Sequence, residues 1–154
     1  MAALIEMPVD DPTAHALLAE YFDSREIGFA HQNVVYTRKY PDAAAFTPPA
    51  GVFLVVQDDE GAFVGCGGIR LLDAGRYEVK HLYLRPETRG RGWGRLLLAE
   101  LERRAIDLGA RELVLDTHHS LEAAAGLYAA TGFVAIERYN DNPNATRWYG
   151  KPIG

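Results

Sequence analysis

The spacing of apolar residues is clearest between Trp93 and Leu108. Trp93, Leu97, Leu101, Ala105 and Leu108 recur every three or four positions. That is the stripe of a helix burying one face, and Gly109 stops it. Just upstream the period changes. Glu78 to Leu84 has the length and the β-branched and aromatic content of a strand. Arg85-Pro86 ends it, since proline cannot extend a hydrogen-bond ladder. Between strand and helix lies Arg89-Gly90-Arg91-Gly92-Trp93-Gly94, a glycine-rich turn.

The rest of the pattern falls into order around this unit. Ala2 to Met7 reads as a short edge strand. Asp10-Asp11-Pro12 starts a helix with proline in its first turn, and Ala14, Leu17, Leu18, Tyr21 and Phe22 form its apolar stripe. Gly28 is expected to end it. Phe29 to Pro49 is the hardest segment to read, although Ala43-Ala44-Ala45 points to a second short helix. Val52 to Gln57 and Ala62 to Leu72 form a hairpin around Asp58-Asp59-Glu60-Gly61. In its second arm Gly65, Gly67 and Gly68 predict a bulge or a close backbone neighbour. Glu112 to Thr117 is a buried strand, and Ser120 is expected to cap a helix reaching Thr131. Phe133 to Arg138 then reads as a strand, Asn140 to Asn144 as a polar turn, and Thr146 to Lys151 as a last strand. The order β-α-α-β-β-β-α-β-α-β-β predicts an α/β (α+β) chain: a mixed, partly antiparallel sheet with helices on both faces.

Composition limits the function classes. At 154 residues, without repeats or linkers, the chain suits a single domain over 1–154. No apolar run approaches the ~20 residues needed to cross a bilayer, and no basic-then-apolar leader is visible, so no membrane partner is expected. A lone cysteine, Cys66, excludes an internal disulfide framework and suits a cytoplasmic location. The net charge of −5 argues against a nucleic-acid binder. Against that background Arg89, Arg91 and Arg95 form a local cationic patch. Glycines there let the backbone approach a ligand with its N–H groups outward, and the helix dipole adds positive potential. The turn suits a di-anion such as a pyrophosphate. It is not a Walker A loop, which needs Gly-Lys before Ser or Thr, and its glycines are spaced wrongly for the dinucleotide fingerprint.

Arg89-x-x-Gly92-x-Gly94, after a strand and opening a long helix, resembles the acyl-CoA signature of the GNAT superfamily of N-acyltransferases. Leu127-Tyr128-Ala129-Ala130-Thr131-Gly132-Phe133 is similar to that superfamily's second hallmark, a tyrosine near a helix end followed by Gly-Phe. Together the two motifs cover roughly the C-terminal half. The resemblance implies a mostly antiparallel sheet of about six or seven strands flanked by about four helices. It implies an N-acetyltransferase using acetyl-CoA as co-substrate, with no metal. The acetyl group would pass directly, in a ternary complex, to a primary amine of a small or amino-acid-like acceptor. A non-catalytic acyl-CoA-binding or sensing module on the same fold is the alternative, and a homodimer is compatible with either.

Residue by residue, the resemblance gives Arg89, Gly90, Arg91, Gly92, Trp93, Gly94 and Arg95 to the pyrophosphate. It gives the main chain of Leu82, Tyr83 and Leu84 to the pantetheine arm, with an N–H of Leu82 or a neighbour facing the thioester carbonyl. Tyr128 would protonate the leaving thiolate, against the reading of a packed core tyrosine. Glu78 would accept the amine proton directly or through a water, against a Glu78–Lys80 surface pair. The chain departs from the pattern at Leu121, where many members carry a pantetheine-bonding asparagine. His118 and His119 read as loop residues near a strand end, with acceptor recognition as their alternative role. Cys66 reads as a small core residue. The acceptor's walls are expected from Phe29 to Phe46 and Tyr139 to Trp148, through Tyr36, Arg38, Tyr139, Asn140 and Trp148; Arg38 is a candidate partner for a carboxylate, against the reading of a solvated surface arginine.

Overall fold

A computed structural model describes residues 2–31, 35–36 and 38–154. Seven strands form one sheet in the order β1-β2-β3-β4-β5-β7-β6. They are β1 (Ala3–Glu6), β2 (Gly51–Gln57), β3 (Phe63–Asp73), β4 (Arg76–Leu84), β5 (Glu112–Thr117), β6 (Val134–Ala135) and β7 (Arg147–Pro152). The helices are α1 (Pro12–His31), α2 (Trp93–Asp107) and α3 (Glu122–Ala130), with short 3-10 turns at Ala43–Phe46 and Pro86–Thr88. Every strand pair is antiparallel except β4 with β5.

The run Gly51–Gln57 reads as almost continuously apolar because both of its faces are covered. Val52, Leu54 and Val56 join the cluster packed under α2, with Leu97, Leu101 and Leu115. Phe53 and Val55 face the other way, onto Leu17, Leu18 and Phe22 of α1. Each fully buried leucine in these layers contributes about 1.5–3 kcal/mol of transfer free energy. The expected stripe on α2 is buried as read, with Leu98 added and Leu108 at its margin.

Four expectations change. α1 continues through Gly28 to His31, because that glycine is exposed with no positive φ and simply adds a flexible residue to the helix. Ser120 does not cap α3; Leu121 occupies the cap position without a side-chain bond, while the Ser120 hydroxyl lies 2.6 Å from His118 Nδ1. The strand expected over Phe133 to Arg138 shrinks to Val134–Ala135 at the sheet edge. The second short helix is a single 3-10 turn, begun by Asp42, whose carboxylate accepts from the Ala44 N–H.

The glycines of β3 are explained by close neighbours. A Cβ on Gly68 would lie 2.8 Å from the Phe46 ring, and one on Gly65 2.6 Å from the Tyr83 carbonyl oxygen. Gly51 is tighter still, with the Ala45 and Ile69 carbonyl oxygens both 2.3 Å from a Cβ. Gly28 has open space instead. Gly28→Ala should therefore raise stability by about 0.5–1 kcal/mol through the unfolded chain's lost freedom. Gly51→Ala should lower it by about 1–3 kcal/mol, because two backbone oxygens must move. Urea unfolding of the two variants checks both signs.

Candidate active site

The site begins with a register shift. Cys66 on β3 faces Tyr83, but Gly68 faces Lys80, so His81 and Leu82 together stand opposite Gly67. His81 takes the extra turn with φ +58, a left-handed conformation uncommon for a residue with a side chain. Gly67 accommodates the bulge: a Cβ there would sit 3.0 Å from Leu82 Cδ1. Beyond this point β4 leaves its parallel neighbour. Pairing with β5 consists of Arg76↔Glu112, Tyr77↔Leu113 and Glu78↔Val114, and the C-terminal parts of both strands run apart. The strands form a fork with Glu78 at its base.

Glu78 is fully buried. Arg70, opposite it on β3, donates from Nε to Oε1 at 2.9 Å, and the Tyr139 hydroxyl donates to Oε2 at 2.7 Å. Lys80 lies 3.5 Å from Oε2 and carries the chain of charge onward to Asp116 on β5, 3.1 Å away. Asn140 donates to Asp116 at 2.6 Å, and the Trp148 indole donates to Asn140 at 2.9 Å. Burial pushes the Asp116 carboxyl up, but Lys80, Asn140 and Asn142 outweigh it and hold the group below its usual range. Burial first, then the Glu78 charge, push the Tyr139 phenol well above its ordinary value.

A cavity of about 610 Å³ opens between the fork and α1. Lys80, His81 and Leu82 of β4, Asp116 of β5 and Tyr128 of α3 all line it. Tyr128 packs against Phe133 and Tyr149, ring centroids 5.7 and 6.1 Å away, which fixes its ring at the end of α3. Burial pushes its phenol up to about 12, so the proton stays on oxygen at neutral pH. At the other end of the β4 unit, outside this cavity, is the glycine turn. Gly90 and Gly92 have φ +82 and +76, with nothing within 4 Å of where a Cβ would stand. Gly92 caps α2 with no side-chain bond, leaving the first N–H groups of the helix open. Arg89, Arg91 and Arg95 are exposed, and none pairs with a carboxylate among the described residues. Open N–H groups, room for a backbone approach and unpaired guanidinium groups fit a pyrophosphate.

The profile of the Acetyltransferase (GNAT) family matches residues 13–133. The chain belongs to this family. It is 34% identical over 140 residues to an uncharacterized N-acetyltransferase of Schizosaccharomyces pombe, covering 90% of this chain and 85% of that one. It is 33% identical over 89 residues to the L-amino acid N-acyltransferase MnaT of Escherichia coli, covering 55% of this chain and 52% of that one. In fold it is similar to the PaiA N-acetyltransferase of Thermoplasma acidophilum, solved in complex with coenzyme A. That likeness has a TM-score of 0.73 at 17% identity and covers 99% of each chain. Both the family and the fold expected from the two motifs are thereby found.

Within this GNAT fold the sequence-derived candidates divide into groups. Tyr128 and Leu82 share the cavity wall, whereas the Glu78 carboxylate stands behind it, covered by Arg70, Lys80 and Tyr139. The pair of Glu78 with Lys80 is thus a buried contact, not a surface one. Trp93 has its side chain in the apolar core, with the guanidinium of Arg91 from the turn 5.0 Å from the ring centroid. Leu121 and His118 line the cavity; His118 is buried, stacked on His119 at 4.3 Å, and held below its ordinary value by burial and then by His119. Cys66 is wholly buried, its thiol pushed up by burial. Of the expected acceptor walls, Tyr36 and Asn140 line the cavity, while Tyr139 and Trp148 support it from behind. Residues 32–34 and 37, within the same expected wall, lie outside the described residues. Arg38 is not available to a ligand's carboxylate, since Asp23 and Glu26 hold it at 2.8 and 2.9 Å.

Sequence reading missed Asp116, Arg70, His81 and Arg25. Their signal is the set of groups the fold packs around them, which spacing along one segment does not carry. His81 is the sharpest case. It is packed against Tyr21, Phe22 and Phe46, with Nδ1 buried and unbonded. Burial, then Lys80 and Arg70, lower it to about 3, so it stays neutral while an unfolded histidine takes a proton below about 6.5. A folded value below the unfolded one means stability that is whole above about pH 6.5 and lost progressively toward pH 3. His81→Asn keeps a residue tolerant of the left-handed φ but removes this proton linkage. The variant should be less stable at pH 7, and its gap to wild type should narrow by up to about 1.4 kcal/mol per pH unit on acidification. Urea titrations at pH 7 and pH 4.5 measure it; a gap of constant size would refute the linkage.

Proposed function

We propose that the chain is an acyl-CoA-dependent N-acetyltransferase that moves an acetyl group directly from acetyl-CoA to the primary amine of a small molecule. The observation that carries this reading is the β4–β5 fork, which opens onto the cavity with Tyr128 in its wall. Unpaired strand edge is where an extended chain adds as a further strand, and a pantetheine arm has that shape. On this reading the main chain of Leu82, Tyr83 and Leu84 holds the arm, and an N–H near Leu82 faces the thioester carbonyl. Residues 89–95 hold the pyrophosphate through backbone N–H groups and the three arginines.

The chemistry forms a C–N bond and breaks a C–S bond. An alkyl ammonium, with pKa of about 10.4, first has to lose a proton. Glu78 accepts it through a water, because Arg70, Lys80 and Tyr139 screen the carboxylate from the cavity. Tyr128 gives its proton to the sulfur as the thiolate leaves. Burial keeps that proton on the phenol at neutral pH until the leaving sulfur takes it. Direct transfer follows from Cys66, whose buried, protonated thiol is no carrier for the acetyl group. The E. coli relative's name puts amino acids first among acceptors to assay.

Two sets of variants test the reading. Gly94 sits inside the first turn of α2, where a Cβ makes ordinary contacts of 3.4 Å with Leu127, and it has no positive φ. Gly94→Ala should thus fold normally yet weaken coenzyme A binding at least ~10-fold by calorimetry, through obstruction of the turn. Unchanged affinity would place the cofactor elsewhere. For catalysis, Tyr128→Phe should lower kcat at least ~10-fold, within the usual ~10²–10⁴ of acid–base terms, with coenzyme A affinity nearly unchanged. Glu78→Gln should instead remove or displace the acidic limb of the pH–rate profile. A Tyr128→Phe enzyme with wild-type kcat, or an acidic limb unmoved in Glu78→Gln, sinks the corresponding role.

A further inference from the structure

Arg25, on the cavity side of α1, is the feature that neither the fold nor the proposed transfer chemistry uses. Its guanidinium carbon lies 5.0 Å from the Tyr21 ring centroid, and the side chain lines the cavity. The groups that act on it electrostatically are phenols: Tyr21, Tyr128 and Tyr36. Burial works against the charge, yet a guanidinium is basic enough to stay protonated. Among the described residues no carboxylate pairs with it.

That is unusual within this chain. Arg38, Arg70, Arg76, Arg85 and Arg104 each hold at least one carboxylate. The other unpaired cations, Lys39, Arg89, Arg91, Arg95, Arg111 and Arg147, are all exposed to water. Arg25 alone among the described arginines and lysines is both partly buried and without an acid. A guanidinium withdrawn from water without an anion costs free energy, and its planar fork of donors matches a carboxylate. The cavity's own Asp116 is not that partner, since Lys80 and Asn140 already hold it.

We propose that Arg25 anchors a carboxylate on the acceptor, so that the preferred acceptors are amines bearing a carboxylate a few bonds away, as in an α-amino acid. The short separation follows from place: Arg25 lines the same cavity of about 610 Å³ as Tyr128, beside which the thiolate departs in the transfer described above. Amine and carboxylate of one acceptor therefore reach the reacting carbonyl and Arg25 together. The aromatic wall of Phe22, Phe29 and Tyr36 leaves an apolar surface for the rest of the molecule. The inference rests on the transferase reading for its chemistry, while the anion site stands on the Arg25 geometry.

The test assays a panel of L-amino acids, each against its own carboxamide, with acetyl-CoA and wild-type, Arg25→Gln and Arg25→Lys enzymes. In wild type, kcat/KM for the best acids should exceed that for their amides at least ~10-fold, mainly through KM. In Arg25→Gln the ratio of acid to amide kcat/KM should fall to about one, whatever change is common to both rates, and Arg25→Lys should recover part of the ratio. The proposal is overturned if no acid outruns its amide in wild type, or if Arg25→Gln slows acid and amide alike. Should no amine be acetylated, the transferase reading fails, and calorimetry with the same panel decides Arg25 separately. Acids bound over amides by wild type but not by Arg25→Gln uphold the anchor; equal binding, or none, overturns it.

Discussion

Two residues of β4 set against one of β3 are what the site depends on. A strand with a regular ladder on both sides has no main-chain groups to spare and no gap beside it. The extra residue at His81 bends β4 away from β5 after Glu78, opening a cleft in the middle of a sheet that is otherwise fully paired. Gly67 accommodates it, because even a Cβ there would press on the side-chain ends of Leu82, Leu97 and Leu101 at 3.0–3.3 Å. The bulge is held from the α1 side by the rings of Tyr21, Phe22 and Phe46 packed on His81. One local irregularity thus supplies the cleft, the edge along it and part of the acceptor cavity.

Charge closes the base of the fork. A carboxylate as deeply buried as Glu78 requires compensation, and Arg70, Lys80 and Tyr139 provide it from three different segments. The network continues through Asp116 and Asn140 to Trp148, tying the loop after α3 to β4 and β5. A carboxylate embedded in such a network keeps a defined position at the cost of direct access to the cavity. Arg25 shows the reverse arrangement, a charge the fold leaves without its counterion on the opposite wall of the same cavity.

Most elements were legible in the sequence because their signals are local. The α2 stripe from Trp93, the proline stop after Leu84 and the strand Glu112–Thr117 follow from period and punctuation within one segment. So does the turn at Arg89–Gly94, whose left-handed Gly90 and Gly92 leave the backbone open for an anion. The readings that failed were those in which a local signal competed with packing. Gly28 carries a stop signal only when the chain needs a left-handed residue, and α1 runs past it without one. Ser120 is a good cap by type, yet its hydroxyl is taken by His118.

By itself, then, the sequence determined the succession of elements, the open glycine turn before α2 and the family to which that turn and the Tyr128 segment point. Each of these is written within a short stretch, where spacing and residue type carry the physics. Tertiary structure decided the rest. It chose which charges meet, giving Arg38 to Asp23 and Glu26 and setting Arg25 over the Tyr21 ring without a carboxylate among the described residues. It also placed Glu78 behind a screen of partners and set His81 at the bend. Partners in a sheet come from residues far apart in the chain, and whether a charge is satisfied depends on that assembly. No window of sequence contains it.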